Sequence, residues 1–383
     1  MAATPVDVSE QDGRAAPRFH AVDALRGIAA LSVLFFHLYR SSAQSEVLQA
    51  AFPEPLKVAL DYSRSGVAIF FVISGFVIGH TTRNLPPRMR EGLAFSLRRQ
   101  VRLDPPYYVV MLGVLLLTIV ERQIPGLEYR YIGLKQFLVN MFYLQDFTGT
   151  EGVLAVAWTL CLEVQFYLVV VLLVLLAGRV TPDQASRKRL VVVAALTLGA
   201  VSLAVPLLGV QTGPWFIGTW WMFCLGLSIS WFLHGHIRGW TMIAILSILG
   251  MWFAVTPIVH GNYPWGGPWF AWATGVLIAA LVVTGRLSGP VPRPLLYFGT
   301  LSYSLYLVHL PVIDTLLGAL FKLTSNSVAG ALLAYLAGAG ASIAVAHVLQ
   351  RVVERRSIRW SKRIGTTSSD TVPATLAERR TAA

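Results

Sequence analysis

Several ionisable side chains stand in stretches of this chain that are otherwise too apolar to carry them. Arg26 and His37 lie eleven residues apart in one such stretch. Eleven helical steps come to within about 20° of three full turns and rise about 16 Å, so the two would share a helix face. An arginine at one end and a histidine half a bilayer deeper could bracket an extended substrate. A histidine can also take a proton from a hydroxyl near neutral pH. The ordinary alternatives are that Arg26 is a snorkelling anchor and that His37 caps the far end. Glu163 sits in the run Trp158 to Tyr167, with Phe166 and Tyr167 on its face. A carboxylate there needs a partner: it could orient a histidine, hold a proton, or clamp a neighbouring helix. Ser302, Tyr306 and His309 fall on one helical face, which would line a cavity or serve an interhelical hydrogen bond.

Arg98, Arg99 and Arg102 immediately precede Asp104-Pro105-Pro106. The prolines are expected to start a helix, leaving the guanidinium groups to close a loop at its mouth. That suits bidentate recognition of phosphate, although topology alone also favours basic residues there. Asp314, His80 and His347 read as structural polar contacts, and Gly75 with Gly79 as close helix packing. Ser74 has no strained nucleophile turn around it. Cys161 and Cys224, the two cysteines, read as small apolar residues, and no metal site is expected.

The elements that must position these groups are membrane helices. The 383 residues are 55% hydrophobic and 13% charged, against about 45–50% and about 25% in soluble domains. A soluble fold could not cover its outside with so few polar residues, and disorder and fibrous repeats are excluded by the same composition. Apolar stretches at about 24–39, 66–80, 105–121, 155–178, 190–209, 214–233, 240–258, 268–285, 296–318 and 328–350 predict ten spans, some of them tilted. The apolar piece from Gln136 to Phe147 is too short and reads as re-entrant or interfacial. With ten spans, 24 of the 31 Lys and Arg residues fall on the side of both termini and 7 on the other, so both tails are expected in the cytoplasm. The net charge of +12 is thus a matter of orientation rather than of nucleic-acid binding. The expected fold class is an all-α polytopic bundle of about ten transmembrane helices in the cell membrane. A cytoplasmic tail spans 1–20, a single membrane unit 21–355, and a second cytoplasmic tail 356–383, disordered after Lys362. The acidic residues of the first 23 positions make a poor signal peptide, so the first helix is expected to be retained.

Five segments in order resemble acyltransferase family three, the integral-membrane O-acyltransferases, over about residues 19–355. They are Val22 to Leu31 with the Arg26-to-His37 spacing, Gly66 to Phe76, Arg99-Gln100-Val101-Arg102, Trp158 to Tyr167, and Ser302 to Pro311. Ala68 departs from the family pattern, where an acidic or amide residue is common, and Arg356 replaces a proline. No segment could form the fused hydrolase-like domain that many relatives carry.

The resemblance implies ten core helices, cytoplasmic acyl-CoA, acetyl-CoA being the expected form, and transfer to a hydroxyl of an extracytoplasmic glycan. Arg26, Arg99 and Arg102 would hold the anionic end of CoA. His37 would act as general base, and Glu163 or His309 would orient it or stabilise its charge. Direct transfer and an acyl-histidine intermediate both remain open. The acceptor is expected to be a carbohydrate or a lipid-linked glycan, with membrane lipids as surroundings and no nucleic acid. A small secondary metabolite such as a macrolide is the alternative acceptor. Outside the family, a proton-coupled transporter would use the buried Glu and His as a relay but should show inverted repeats, and a scaffold in polysaccharide export would leave the polar residues unexplained.

Overall fold

Helix is the regular structure throughout the described residues of the computed structural model, which are 19–40, 45–123, 131–256, 267–321 and 327–364, without the side chains of 316–321. The physical reason is that apolar surroundings offer backbone N–H and C=O groups no water, and a helix pairs them within one segment. The helices are α1 (His20–Arg40), α2 (Ser45–Ala51), α3 (Glu54–Tyr62), α4 (Gly66–Thr82), α5 (Met89–Glu121), α6 (Leu134–Met141), α7 (Gln145–Thr148) and α8 (Trp158–Val180). They continue as α9 (Gln184–Ala204), α10 (Trp220–Leu233), α11 (Gly239–Val255), α12 (Gly267–Val283), α13 (Arg293–Phe321), α14 (Val328–Leu349) and α15 (Arg355–Ser361).

Seven helical stretches among the described residues are long and apolar enough to cross a bilayer. Three more of the expected spans coincide with the shorter apolar helices α10, α11 and α12, and ten crossings remain a proposal. The Gln136 to Phe147 piece forms α6 and α7, separated by Tyr143 at φ 58°. Helices of eight and four residues are far shorter than the roughly 20 residues a crossing needs.

Two close crossings set the geometry of the interior. A Cβ at Gly27 would lie 2.7 Å from Gly299 N, and one at Gly299 would lie 2.1 Å from Asp23 O, so α1 and α13 meet backbone to backbone. The same holds for α4 and α10, where a Cβ at Gly75 would stand 2.0 Å from Phe223 O and one at Gly226 2.0 Å from Val72 O. Small residues allow this approach, which gives van der Waals contact that lipid tails cannot match. Gly75 therefore packs as its sequence context predicts.

The prolines do not start a helix. Pro105 and Pro106 lie inside α5, which begins at Met89, so Arg98, Arg99 and Arg102 are helical residues rather than the end of a loop. Pro106 has no N–H to give the carbonyl of Arg102. Ser357 compensates: its Oγ lies 3.0 Å from Arg102 O and 2.8 Å from Glu354 O, sharing its proton. That contact also explains why the chain beyond residue 355 continues as α15 against α5, with Arg98 donating to Ile364 O at 3.2 Å. The helical packing thus continues past residue 355, into the segment expected to begin the second tail. Residues 1–18 and 365–383, which hold most of both expected tails, lie outside the described residues.

Candidate active site

Arg26, Arg99 and Arg102 come together in one cavity of about 90 Å³, which they line with Ser74, Glu163, Ser302, Tyr303, Tyr306 and Glu354. The α1/α13 crossing brings Arg26 opposite Ser302 and Tyr303. The extended α5 presents Arg99 and Arg102, three residues apart and so on one face. The α4 and α8 helices close the cavity with Ser74 and Glu163.

Among the described residues, one direct ion pair forms inside the cavity. Arg99 Nη2 donates to Glu163 Oε1 at 2.6 Å, and Ser74 Oγ donates to the same oxygen at 2.9 Å. Both ion-pair side chains are mostly buried, at 13% and 20% exposure. Arg99 Nε is buried and makes no hydrogen bond, so this guanidinium still has a proton to give an anionic ligand. Glu163 therefore acts on Arg99, and neither histidine is among its hydrogen-bond partners.

Glu354 was not singled out in the sequence, where it opens a basic run at the end of the last long helix. A π-turn over Gln350–Glu354 turns it inward, 5% exposed. Its Oε2 accepts a hydrogen bond from Ser304 Oγ at 2.6 Å. Three guanidinium groups thus face two carboxylates. Thr159 and Tyr303 were also missed; Tyr303 OH donates to Leu103 O at 2.7 Å and ties α13 to α5.

His37 and His309 form a pair of their own. His37 Nδ1 lies 2.9 Å from Val33 O and 3.2 Å from His309 Nε2, and His309 Nδ1 lies 3.1 Å from Leu305 O. A carbonyl only accepts, so each Nδ1 carries the proton when the rings are neutral. His309 Nε2 is then an acceptor for the His37 Nδ1–H, and His37 Nε2 keeps a lone pair with no hydrogen-bond partner among the described residues. Tyr306 joins this pair to the cavity. Its ring packs 5.8 Å from that of His309 and 5.8 Å from that of Phe70, and its hydroxyl meets Thr159 Oγ1 at 2.9 Å. The Arg26-to-His37 spacing is thus divided: Arg26 is in the cavity, whereas His37 stands beyond Tyr306.

His80, His347 and Asp314 do not line this cavity. His80 Nδ1 pairs with His234 Nε2 at 2.9 Å, His347 with Tyr297 OH at 3.0 Å, and Asp314 is exposed. Cys161 and Cys224 are buried and free. No cluster of three or more His, Cys, Asp or Glu side chains suited to a metal ion occurs among the described residues.

On the far side of Val67 and Phe71, which also line the cavity, opens a vestibule of about 700 Å³. Trp158, Trp215 and Asp146 line it. Ala68, the departure from the family pattern, lines it as well.

The model of the family described as acyltransferase domain matches residues 19–351. The chain belongs to acyltransferase family three. Nodulation protein 10 of Rhizobium leguminosarum bv. viciae is 28% identical over 325 residues, covering 77% of this chain and 83% of its own length. The peptidoglycan O-acetyltransferase OatA of Listeria monocytogenes is 26% identical over 359 residues, covering 82% of this chain. This chain spans only about half, 52%, of that relative. No solved structure matches.

Proposed function

We propose that the protein transfers an acyl group, in the simplest case acetyl, from cytoplasmic acyl-CoA to a hydroxyl of an extracytoplasmic or exported carbohydrate. The observation that carries this reading is the histidine pair whose free Nε2 lies one side chain beyond an arginine-lined cavity. Arg26, Arg99 and Arg102 hold the anionic part of the donor. They meet the pyrophosphate at the cavity of about 90 Å³ that they line, and the thin, uncharged arm of CoA runs inward from there. The acyl end passes Phe70 and Tyr306 to reach His37.

There His37 Nε2 takes the proton of the acceptor hydroxyl as its oxygen attacks the thioester carbonyl. The resulting imidazolium donates its Nδ1–H to His309 Nε2, and the C–S bond breaks as the sulfur takes the proton back from His37. Glu163 holds Arg99 in position. The vestibule, separated from the donor cavity by Val67 and Phe71, supplies the acceptor side, with indole rings of the kind that stack on sugar faces and an acceptor carboxylate at Asp146. The peptidoglycan-directed activity in the name of the Listeria relative agrees with a carbohydrate acceptor.

The test uses native membranes supplied with acetyl-CoA labelled in the acetyl group, read as alkali-labile label. His37→Gln keeps a hydrogen bond but cannot take a proton, and should lose about 10²–10⁴-fold in rate with donor binding retained. Arg99→Ala and Arg102→Ala should mainly raise the apparent KM for acyl-CoA. Near-normal transfer by His37→Gln would overturn the base assignment. An unchanged donor KM in correctly inserted arginine variants would remove them from the donor site.

A further inference from the structure

A second basic pocket, of about 460 Å³, lies outside the reaction path. It is framed by the end of α4, the connection to α5, and parts of α8, α9 and α10. Arg83, Arg88, Arg187 and Lys188 line it. Val77 and Thr82 of α4 face the donor cavity and this pocket respectively, and five helical steps set them about 140° apart. The two sites therefore lie on different sides of α4.

Two features separate this pocket from a merely basic surface. None of its lining residues is a carboxylate, and none of its four cations has an ion-pair partner among the described residues. Arg83 donates to His80 O at 2.6 Å and Arg187 to Pro182 O at 3.5 Å, contacts that leave their charges uncompensated. His236, also in the lining, has a buried Nδ1 without a hydrogen-bond partner. Beneath this rim the floor is apolar, made by Val174, Val192 and Trp231 among others. A cationic rim over an apolar floor matches a ligand with a phosphate ester at one end and hydrocarbon at the other. A fully soluble anion would leave the floor unused.

We propose that this pocket binds the phosphate headgroup of an anionic membrane lipid, with the start of its acyl chain along the floor. Basic pockets between helices at a membrane face are the setting in which anionic headgroups bind, at about 1 kcal/mol per nearby cation. The proposal does not depend on the acyl-transfer reading.

The test uses the full chain, delipidated in detergent, with thermal unfolding and native mass spectrometry as readouts. The probes are dioleoylphosphatidylglycerol, dioleoylphosphatidylcholine, inorganic phosphate and CoA. Phosphatidylglycerol should raise the unfolding temperature and remain bound, and phosphatidylcholine should do neither. The double variant Arg187→Gln, Lys188→Gln should bind phosphatidylglycerol ~30-fold more weakly, the factor expected for two lost cations. Equal stabilisation by phosphatidylcholine would reduce the effect to bulk lipid and overturn the proposal. An unchanged phosphatidylglycerol response in the double variant would place the lipid elsewhere. Displacement of phosphatidylglycerol by phosphate or CoA at matched concentration would make this a site for a soluble phosphate instead. If the double variant does not fold, Arg88→Gln alone should weaken binding ~5-fold, and no change there overturns the proposal.

Discussion

Removal of the His309 imidazole tests the histidine pair most directly. In the resting state His37 Nδ1–H has two acceptors, Val33 O at 2.9 Å and His309 Nε2 at 3.2 Å. His309→Leu leaves the first, so the tautomer that exposes Nε2 should survive and the protein should still bind donor. What it loses is the second acceptor at the moment His37 becomes a cation. A hydrogen bond to a charged group contributes about 1.5–3 kcal/mol, and about 1.4 kcal/mol corresponds to tenfold in rate. The expected loss is therefore about 10–10²-fold in turnover with the donor KM little changed, milder than the loss from His37→Gln. His309→Gln, whose side-chain oxygen can accept, should recover part of it. The assay is initial-rate incorporation of alkali-labile acetyl label in membranes with matched protein levels. Wild-type turnover in His309→Leu would refute the charge-sharing role. A loss confined to donor KM would move His309 into the donor site.

The close helix crossings predict opposite outcomes for two glycines. Gly226→Ala should destabilise by about 1–3 kcal/mol or more, since its Cβ would meet backbone 2.0 Å away; Gly113→Ala, with open space around it, should be neutral or stabilising in thermal unfolding. Ser357→Ala should cost about 1 kcal/mol and less in a Pro106→Ala background, where Arg102 O regains a backbone donor; equal costs in a double-mutant cycle would show that Ser357 does not compensate for the proline. His234 lies just outside α10, and burial, with His80, Arg83, His236 and Lys188 nearby, pushes its pKa down to about 4. The folded state thus binds fewer protons than the unfolded one between about pH 6.5 and 4, and stability should fall as pH drops through that window; His234→Asn should flatten that part of the profile of unfolding temperature against pH. A reporter fused at position 150 should report from outside the cell, because α6 and α7 are too short to cross; a cytoplasmic signal would require an eleventh span and remove the two-sided mechanism.

The sequence by itself determined the class of molecule. Its apolar stretches and scarce charge leave helices in a membrane as the way to pair the backbone, and five short motifs in order are enough to mark the family. It also offered candidate site residues, because an arginine, histidine or glutamate inside an apolar run is costly and stands out against its neighbours. Which of them meet was beyond it. Periodicity placed Arg26 and His37 on one face, but only the packing of α1 against α13 shows Tyr306 standing between the cavity and the histidine pair. The same crossing sets His37 3.2 Å from His309, two residues 272 positions apart whose contact leaves no local trace in either helix. Glu163 read as a possible partner for a histidine, and it was the continuation of α5 through two prolines that gave it Arg99 instead. That continuation is supported from α15: each proline leaves a carbonyl one turn back without its helical donor, and Ser357 supplies one to Arg102 O. Glu354 was hidden for a related reason. A single π-turn at the end of the last long helix rotates it into the cavity, where Ser304 on another helix gives its proton to the carboxylate.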